Sequence, residues 1–326
     1  GEAQQMHLRH ARYYLALSQQ GVSDHIEFVG SWVHRLDREY DNLHAALVWS
    51  RRSASDAALA LQLSGALIPL WRHRGFYRDA IAALEQALNQ PRAGSSSVAI
   101  DGLEQIHRYM RRTLANLLAG TGNFSAAHIQ FEQLLLRARE QGDTQLAGYM
   151  CERLGWLARE QGDSTTAWRW MTESLTIFRE LGDARAIAGT LVSMAGIAIV
   201  EEDAGQVELL LAESRALAEH AAPDIYAWTL NHLGNAAQLR GDYTRAAQLH
   251  RDSLAVFPSD YHAGVRSAYH SLGESVLGLG QLEEAARWLR QGLALSRRLN
   301  ARDTIAWCLA GLGSVAALDG QPERAA

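Results

Sequence analysis

Residues 154–167 read LGWLAREQGDSTTA, and the same frame returns as LGNAAQLRGDYTRA at 233–246, LGESVLGLGQLEEA at 272–285 and LGSVAALDGQPERA at 312–325. In each, a Gly follows Leu, a second Gly stands seven positions on, and an Ala follows five positions later. The downstream Gly suits the left-handed residue that ends a helix. Asp163 or Asp242 beside it can cap the helix that follows. The upstream Gly lets a neighbouring helix approach closely. The Ala (Ala127, Ala167, Ala246, Ala285, Ala325) packs the first turn of the second helix against the first. The spacing therefore predicts a helical hairpin, helix A then helix B, each of about 15–18 residues.

Outward from this frame, the downstream turn recurs as GNFSAA at Gly122, as a looser GFYRDA at Gly75 and as a divergent GQVELL at Gly205. With Gly162, Gly241, Gly280 and Gly320, the successive spacings are 47, 40, 43, 36, 39 and 40. The upstream small residues are Gly155, Gly234, Gly273 and Gly313, with Ala115 substituting in the earlier repeat. Gly196 lies nine positions before Gly205, so that repeat is expected to carry a two-residue insertion around Glu201–Ala204, bending any groove at its middle.

Composition excludes several chemistries. All 31 basic residues among the 326 are Arg, against 36 Asp and Glu, for a net charge of -5. Without Lys there is no P-loop lysine and no Schiff base. No concentrated basic face marks a nucleic-acid footprint. Cys151 and Cys308 are far apart in sequence, which argues against a disulfide framework and for a reducing, cytoplasmic setting. The longest near-apolar stretch, Ala186 to Val200, is too short to span a membrane and is interrupted by Gly, Thr and Ser. Thirteen His include a His7/His10 pair, but no zinc spacing and no H-E-x-x-H, so neither a metal nor a cofactor is expected. No nucleophile elbow occurs.

Helix A is expected to line a concave groove through positions six and three before the upstream Gly and one and four after it. That places Tyr149, Glu152, Trp156 and Arg159 in one repeat, and Thr190, Ser193, Ile197 and Val200 in the next. Trp228, Asn231, Asn235 and Gln238 follow, then Ser267, His270 and Glu274, and finally Trp307 and Ser314. Asn231 and Asn235 are one turn apart and could clamp a peptide backbone, either solvent-accessible or bonded to each other. Aromatics mixed with amides and one guanidinium suit a peptide or sugar-like ligand better than a lipid.

Leu-Gly in mid helix A with Ala twelve positions after the Gly resembles the tetratricopeptide repeat, recurring in register at a period near 40. RHARYYLAL at 9–17, WVHRLDREYDNLHAALVWS at 32–50 and WRHRGFYRDAIAALEQAL at 71–88 look like the C-terminal region of bacterial LuxR/AfsR-type signal-transduction ATPase regulators, the class of the maltose-operon activator. The resemblance implies an all-α, right-handed superhelix acting as a non-catalytic sensor that binds a protein, peptide or small-molecule effector. It also implies that nucleotide and DNA sites lie in domains outside this chain. A free-standing peptide receptor or scaffold is the alternative. The expected organisation is an N-terminal helical segment over 1–54, an irregular hairpin and linker over 55–97 with a kink at Pro69, and repeats over 98–326. The last repeat would lack helix B, leaving a face open to self-association.

Overall fold

The computed structural model describes residues 2–19, 35–52, 57–74, 76–89, 97–258, 262–298 and 301–320. Its two compact units divide between Arg137 and Ala138. The expected turn at Gly75, the 91–96 linker and the truncated helix after Gly320 lie outside the described residues.

The first unit contains α1 (Glu2–Gln19), α2 (Tyr40–Arg52), α3 (Ala57–Arg74), α4 (Tyr77–Leu88) and α5 (Ser97–Gly120). Its core is built from Leu36, Leu43, Leu47, Leu63, Leu67, Trp71, Leu84 and Met110, none more than 2% exposed. Of the stripe Leu36, Tyr40, Leu43 and Leu47 that helical spacing predicts, the three leucines are buried and Tyr40 is half-buried. On α1, Tyr14 is the inward tyrosine: its hydroxyl meets Glu39 at 3.2 Å, while Tyr13 is 63% exposed. Helix α3 runs unbroken through Pro69. Asn123 accepts from the Ala126 amide at the start of α6 (Phe124–Glu140), whose Ala127 and Phe131 are fully buried.

The second unit alternates A and B helices. The A helices are α7 (Thr144–Glu160), α9 (Ala184–Val200), α11 (Pro223–Leu239), α13 (His262–Gly278) and α15 (Arg302–Leu318). The B helices are α8 (Ser164–Leu181), α10 (Ala204–Ala218), α12 (Tyr243–Val256) and α14 (Leu282–Arg298). Each A helix before the last packs on its own B helix and on the next A helix. The close approaches fall where the frame puts them. A Cβ on Gly155 would sit 3.0 Å from Met171, and one on Gly273 would sit 2.7 Å from Leu289. Ala167, Ala246 and Ala285 are fully buried.

The third repeat corrects the expected insertion. Its turn is Glu201–Glu202–Asp203, not Gly205, which already lies inside α10. Glu202 takes the left-handed conformation (φ 58°) that Gly162 takes at φ 79° and Gly241 at φ 75°. A side chain there costs about 1–2 kcal/mol relative to Gly, yet the turn forms because both flanking helices demand it. Counting from Glu202, turns fall at 122, 162, 202, 241, 280 and 320, a period of 39–40 with no insertion. The small residue seven positions upstream is then Ala195, fully buried, and Gly196 moves to the position held by Trp156 and Asn235.

Turns between hairpins use the same chemistry as turns within them. The carboxylates of Asp143, Asp163, Asp183, Asp203 and Asp242 each accept an amide hydrogen bond three residues on, at 2.9–3.1 Å. Asp143, Asp163, Asp183 and Asp203 are evenly spaced, one cap per helix. Small hydroxyls stitch B helices to A helices: Ser214 of α10 meets Thr229 of the next A helix at 2.9 Å, and Ser253 of α12 donates to the Ala227 carbonyl of its own A helix at 2.7 Å. Exposed pairs join successive B helices, among them Arg179–Glu213 at 2.7 Å and Arg251–Glu284 at 3.3 Å. Each such pair is worth at most about 1 kcal/mol.

Candidate binding face on the A helices

At the α7 end of the A-helix face, Tyr149 is 37% exposed, with its ring 4.9 Å from that of Phe178. Glu152, half-buried, accepts from the Ser193 hydroxyl of α9 at 3.0 Å and pairs with Arg153 at 3.3 Å. The Arg153 guanidinium in turn lies 5.9 Å from the ring of Trp156. Arg159 pairs with Glu160 at 2.7 Å, and its other nitrogen lies over Gly196, where a Cβ would be 2.5 Å away. Gly196 is therefore a gap in the face of α9 that an arginine from α7 crosses. The charge of Arg159 also acts on His232 of α11.

Repositioning the frame of α9 changes its contribution. Thr190 and Ile197, placed in the groove from the Gly196 register, are fully buried. Thr190 meets Ser174 of α8 and donates to the Ala186 carbonyl at 2.9 Å. The positions matching Tyr149, Glu152, Trp156 and Arg159 are Gly189, Val192, Gly196 and Ile199.

The α11 segment departs furthest from expectation. Trp228 is half-buried, edge-on to Phe257 at 5.4 Å and 5.7 Å from the ring of His232. Asn231 is only 1% exposed and its Nδ2 has no hydrogen-bond partner, so it is neither solvent-accessible nor bonded to Asn235. Asn235 is half-buried; its Oδ1 lies 3.2 Å from His250 and its Nδ2 lies 3.4 Å from His232. The cause is His250 on α12. It stands where α8, α10 and α14 carry Met171, Leu211 and Leu289, and it enters the space left by Gly234, where a Cβ would be 2.3 Å from Nε2. The imidazole reaches the Asn231 carbonyl at 3.1 Å and Ser275 at 2.8 Å. With Asn231 buried and Asn235 turned toward this imidazole, the two amides do not form a clamp on a peptide backbone.

Burial holds both rings neutral. His250 is pushed down to about 4, with His270 adding repulsion. His232 is pushed down to about 3 by burial first, then by the charge of Arg159. The sequence signal for this network was His250 itself, a polar residue at an otherwise apolar position of helix B.

At the α15 end, His270 stands 5.8 Å from the ring of Trp307, which is 51% exposed. Glu274, one turn beyond His270, has its carboxyl raised by burial. Gly311 of α15 makes room for it: a Cβ there would lie 2.5 Å from the carboxylate. The thiols of Cys151 and Cys308 are fully buried and pushed up to about 12 and about 11, chiefly by burial. Among the described residues no group of three His, Cys, Asp or Glu converges to hold a metal ion. Nor is any described helix long and apolar enough to cross a membrane.

A tetratricopeptide-repeat family model matches residues 225–298. That span covers the two hairpins α11–α12 and α13–α14. The chain is 30% identical over 149 residues to HTH-type transcriptional regulators of Mycobacterium bovis and Mycobacterium tuberculosis. The match takes in 44% of this chain and 16% of theirs, so the chain spans a small part of those relatives. A solved tetratricopeptide-repeat protein from Parabacteroides merdae superposes with TM-score 0.64 at 12% identity, over 97% of this chain and 99% of that one. NprR in complex with its cognate peptide NprX superposes with TM-score 0.56 at 15% identity, over 90% and 81%. At these identities the likeness is one of fold: an all-α, tetratricopeptide-like superhelix of hairpins.

Proposed function

We propose that the chain is a non-catalytic sensor and interaction domain of a bacterial transcriptional regulator, binding a peptide or a peptide segment of a partner on the face formed by its A helices. The observation that carries this reading is the composition of that face. From α7 to α15 it presents Tyr149, Trp156, Trp228 and Trp307 beside Glu152, Arg159, Asn235, His270 and Glu274, most of them half-buried. Aromatics beside partly desolvated polar groups are the mixture that recognises a peptide. The shared fold with a peptide-bound NprR and the local similarity to HTH-type regulators support the same reading. Asn235 would be the amide on this face able to meet a peptide, since Asn231 is occluded.

The finer assignment, a LuxR/AfsR-type regulator with nucleotide and DNA sites in other domains, rests on the resemblance of segments 9–17, 32–50 and 71–88. In that setting effector binding would bias the parent protein between inactive and active forms. The test is titration of the chain against random hexapeptide pools by isothermal calorimetry. Saturable binding lost in Trp156→Ala or Trp228→Ala supports the reading. Pools that bind both variants as tightly as wild type, or no pool at all, would overturn it.

A further inference from the structure

The charged groups of the A-helix face are not equally provided for. Glu152 has a serine and an arginine, and Arg159 has Glu160. Glu274 has neither a hydrogen bond nor an ion pair among the described residues, though it is half-buried. Arg266, whose charge is felt by the same Cys308 thiol that Glu274 acts on, is hydrogen-bonded to Thr304 instead. A carboxylate held partly out of water without a partner is unfavourable. Gly311 holds it there, because the carboxylate packs against the bare backbone of α15, where a Cβ would lie 2.5 Å away. The groups beside the carboxylate suit a cation. Trp307 on α15 leaves half its surface exposed, and His270, one turn from Glu274, is held toward its neutral form by burial.

We propose that Glu274, His270 and Trp307 form a pocket in the seam between α13 and α15 that takes a cationic group, the guanidinium or ammonium of an Arg or Lys side chain. A planar guanidinium can pair with the carboxylate and stack on the indole. A neutral imidazole opposes neither contact. This deepens the peptide reading above and rests on it for the origin of the cation. It gives the A-helix face a polarity, with the Arg159 guanidinium at the α7 side and an unneutralised carboxylate at the α13 side.

The probe is Nα-acetylargininamide, titrated while the Trp307 indole N–H is followed by NMR, with the neutral citrulline analogue as its control. Wild type should show a saturable shift of the Trp307 signal. Glu274→Gln should weaken the probe at least fivefold, Trp307→Ala should weaken it severalfold, and citrulline should behave like the Gln variant. Glu274→Gln removes only an unpaired charge, so its melting temperature should match or exceed that of wild type. Equal probe affinity in wild type and Glu274→Gln would overturn the pocket. Hexapeptide pools fixed with Arg or Lys, compared with pools fixed with citrulline, separate the two readings. Binding with no preference for the cation removes the pocket and leaves the peptide face. Probe binding at Trp307 with no peptide bound by any pool removes the peptide face and leaves the pocket.

Discussion

Substituting Ala for the Gly of successive A helices should produce a graded loss whose order is fixed by what each new methyl meets. Every such change gains about 1 kcal/mol of helix propensity. At Gly155 the Cβ meets Met171 at 3.0 Å and the Ala167 carbonyl at 3.2 Å. A flexible thioether can give way, so gain and strain should nearly cancel. At Gly273 it meets Leu289, a fully buried and stiffer side chain, at 2.7 Å. The net loss there should be about 1 kcal/mol. At Gly234 it meets the His250 ring, with Nε2 only 2.3 Å away. That ring must leave its contacts with Asn231, Asn235 and Ser275. Each buried polar group left unpaired costs about 1–3 kcal/mol. The net loss should be about 2–4 kcal/mol, lowering the melting temperature by about 4–16 °C. Thermal unfolding of the three single variants, with amide exchange to localise the loss to α11 and α12, measures this. Should Gly234→Ala melt at or above Gly155→Ala, the placement of His250 against Gly234 is wrong.

Three further outcomes are expected. Stability should be complete above about pH 6.5 and fall as pH drops toward about 4, because the unfolded chain takes protons at His250 and His232 that the fold refuses. His250 accounts for up to about 3 kcal/mol of this, and His250→Leu should flatten the melting profile over that range. Glu202→Gly should stabilise the chain by about 1 kcal/mol in urea unfolding, while Asp203→Ala should cost about 1 kcal/mol by removing a cap. Cys151 and Cys308 should resist a thiol-specific reagent at about pH 8 in the native protein and both react in denaturant.

The hairpin frame was legible because its glycines do two separable jobs, ending a helix and admitting a neighbour, and five of six turns in the register keep a Gly. Glu202 hid the sixth: when a turn is held by its flanking helices, a poor residue suffices, and the nearby Gly205 draws the eye to the wrong place. The candidate face was legible as a set of positions, and Glu152, Trp156, Trp228, His270 and Glu274 are half-buried there. What single-helix periodicity could not show is depth. Whether Asn231 reaches solvent depends on His250 in another helix, and whether Arg159 can lie across α9 depends on the missing side chain of Gly196. Both are facts about pairs of helices rather than about one.

The equal turns have a consequence for how such a chain can change its length. From Asp143 to Asp203 every helix with its turn takes the same length of chain, and the caps do not distinguish an A helix from a B helix. Loss or duplication of one helix with its turn would leave every helix boundary intact, yet every helix beyond it would present the wrong side to its neighbours. The reading frame of this architecture is set by alternation, not by punctuation. Viable gains and losses should therefore come in steps of two helices, adding or removing one rung of the A-helix face at a time.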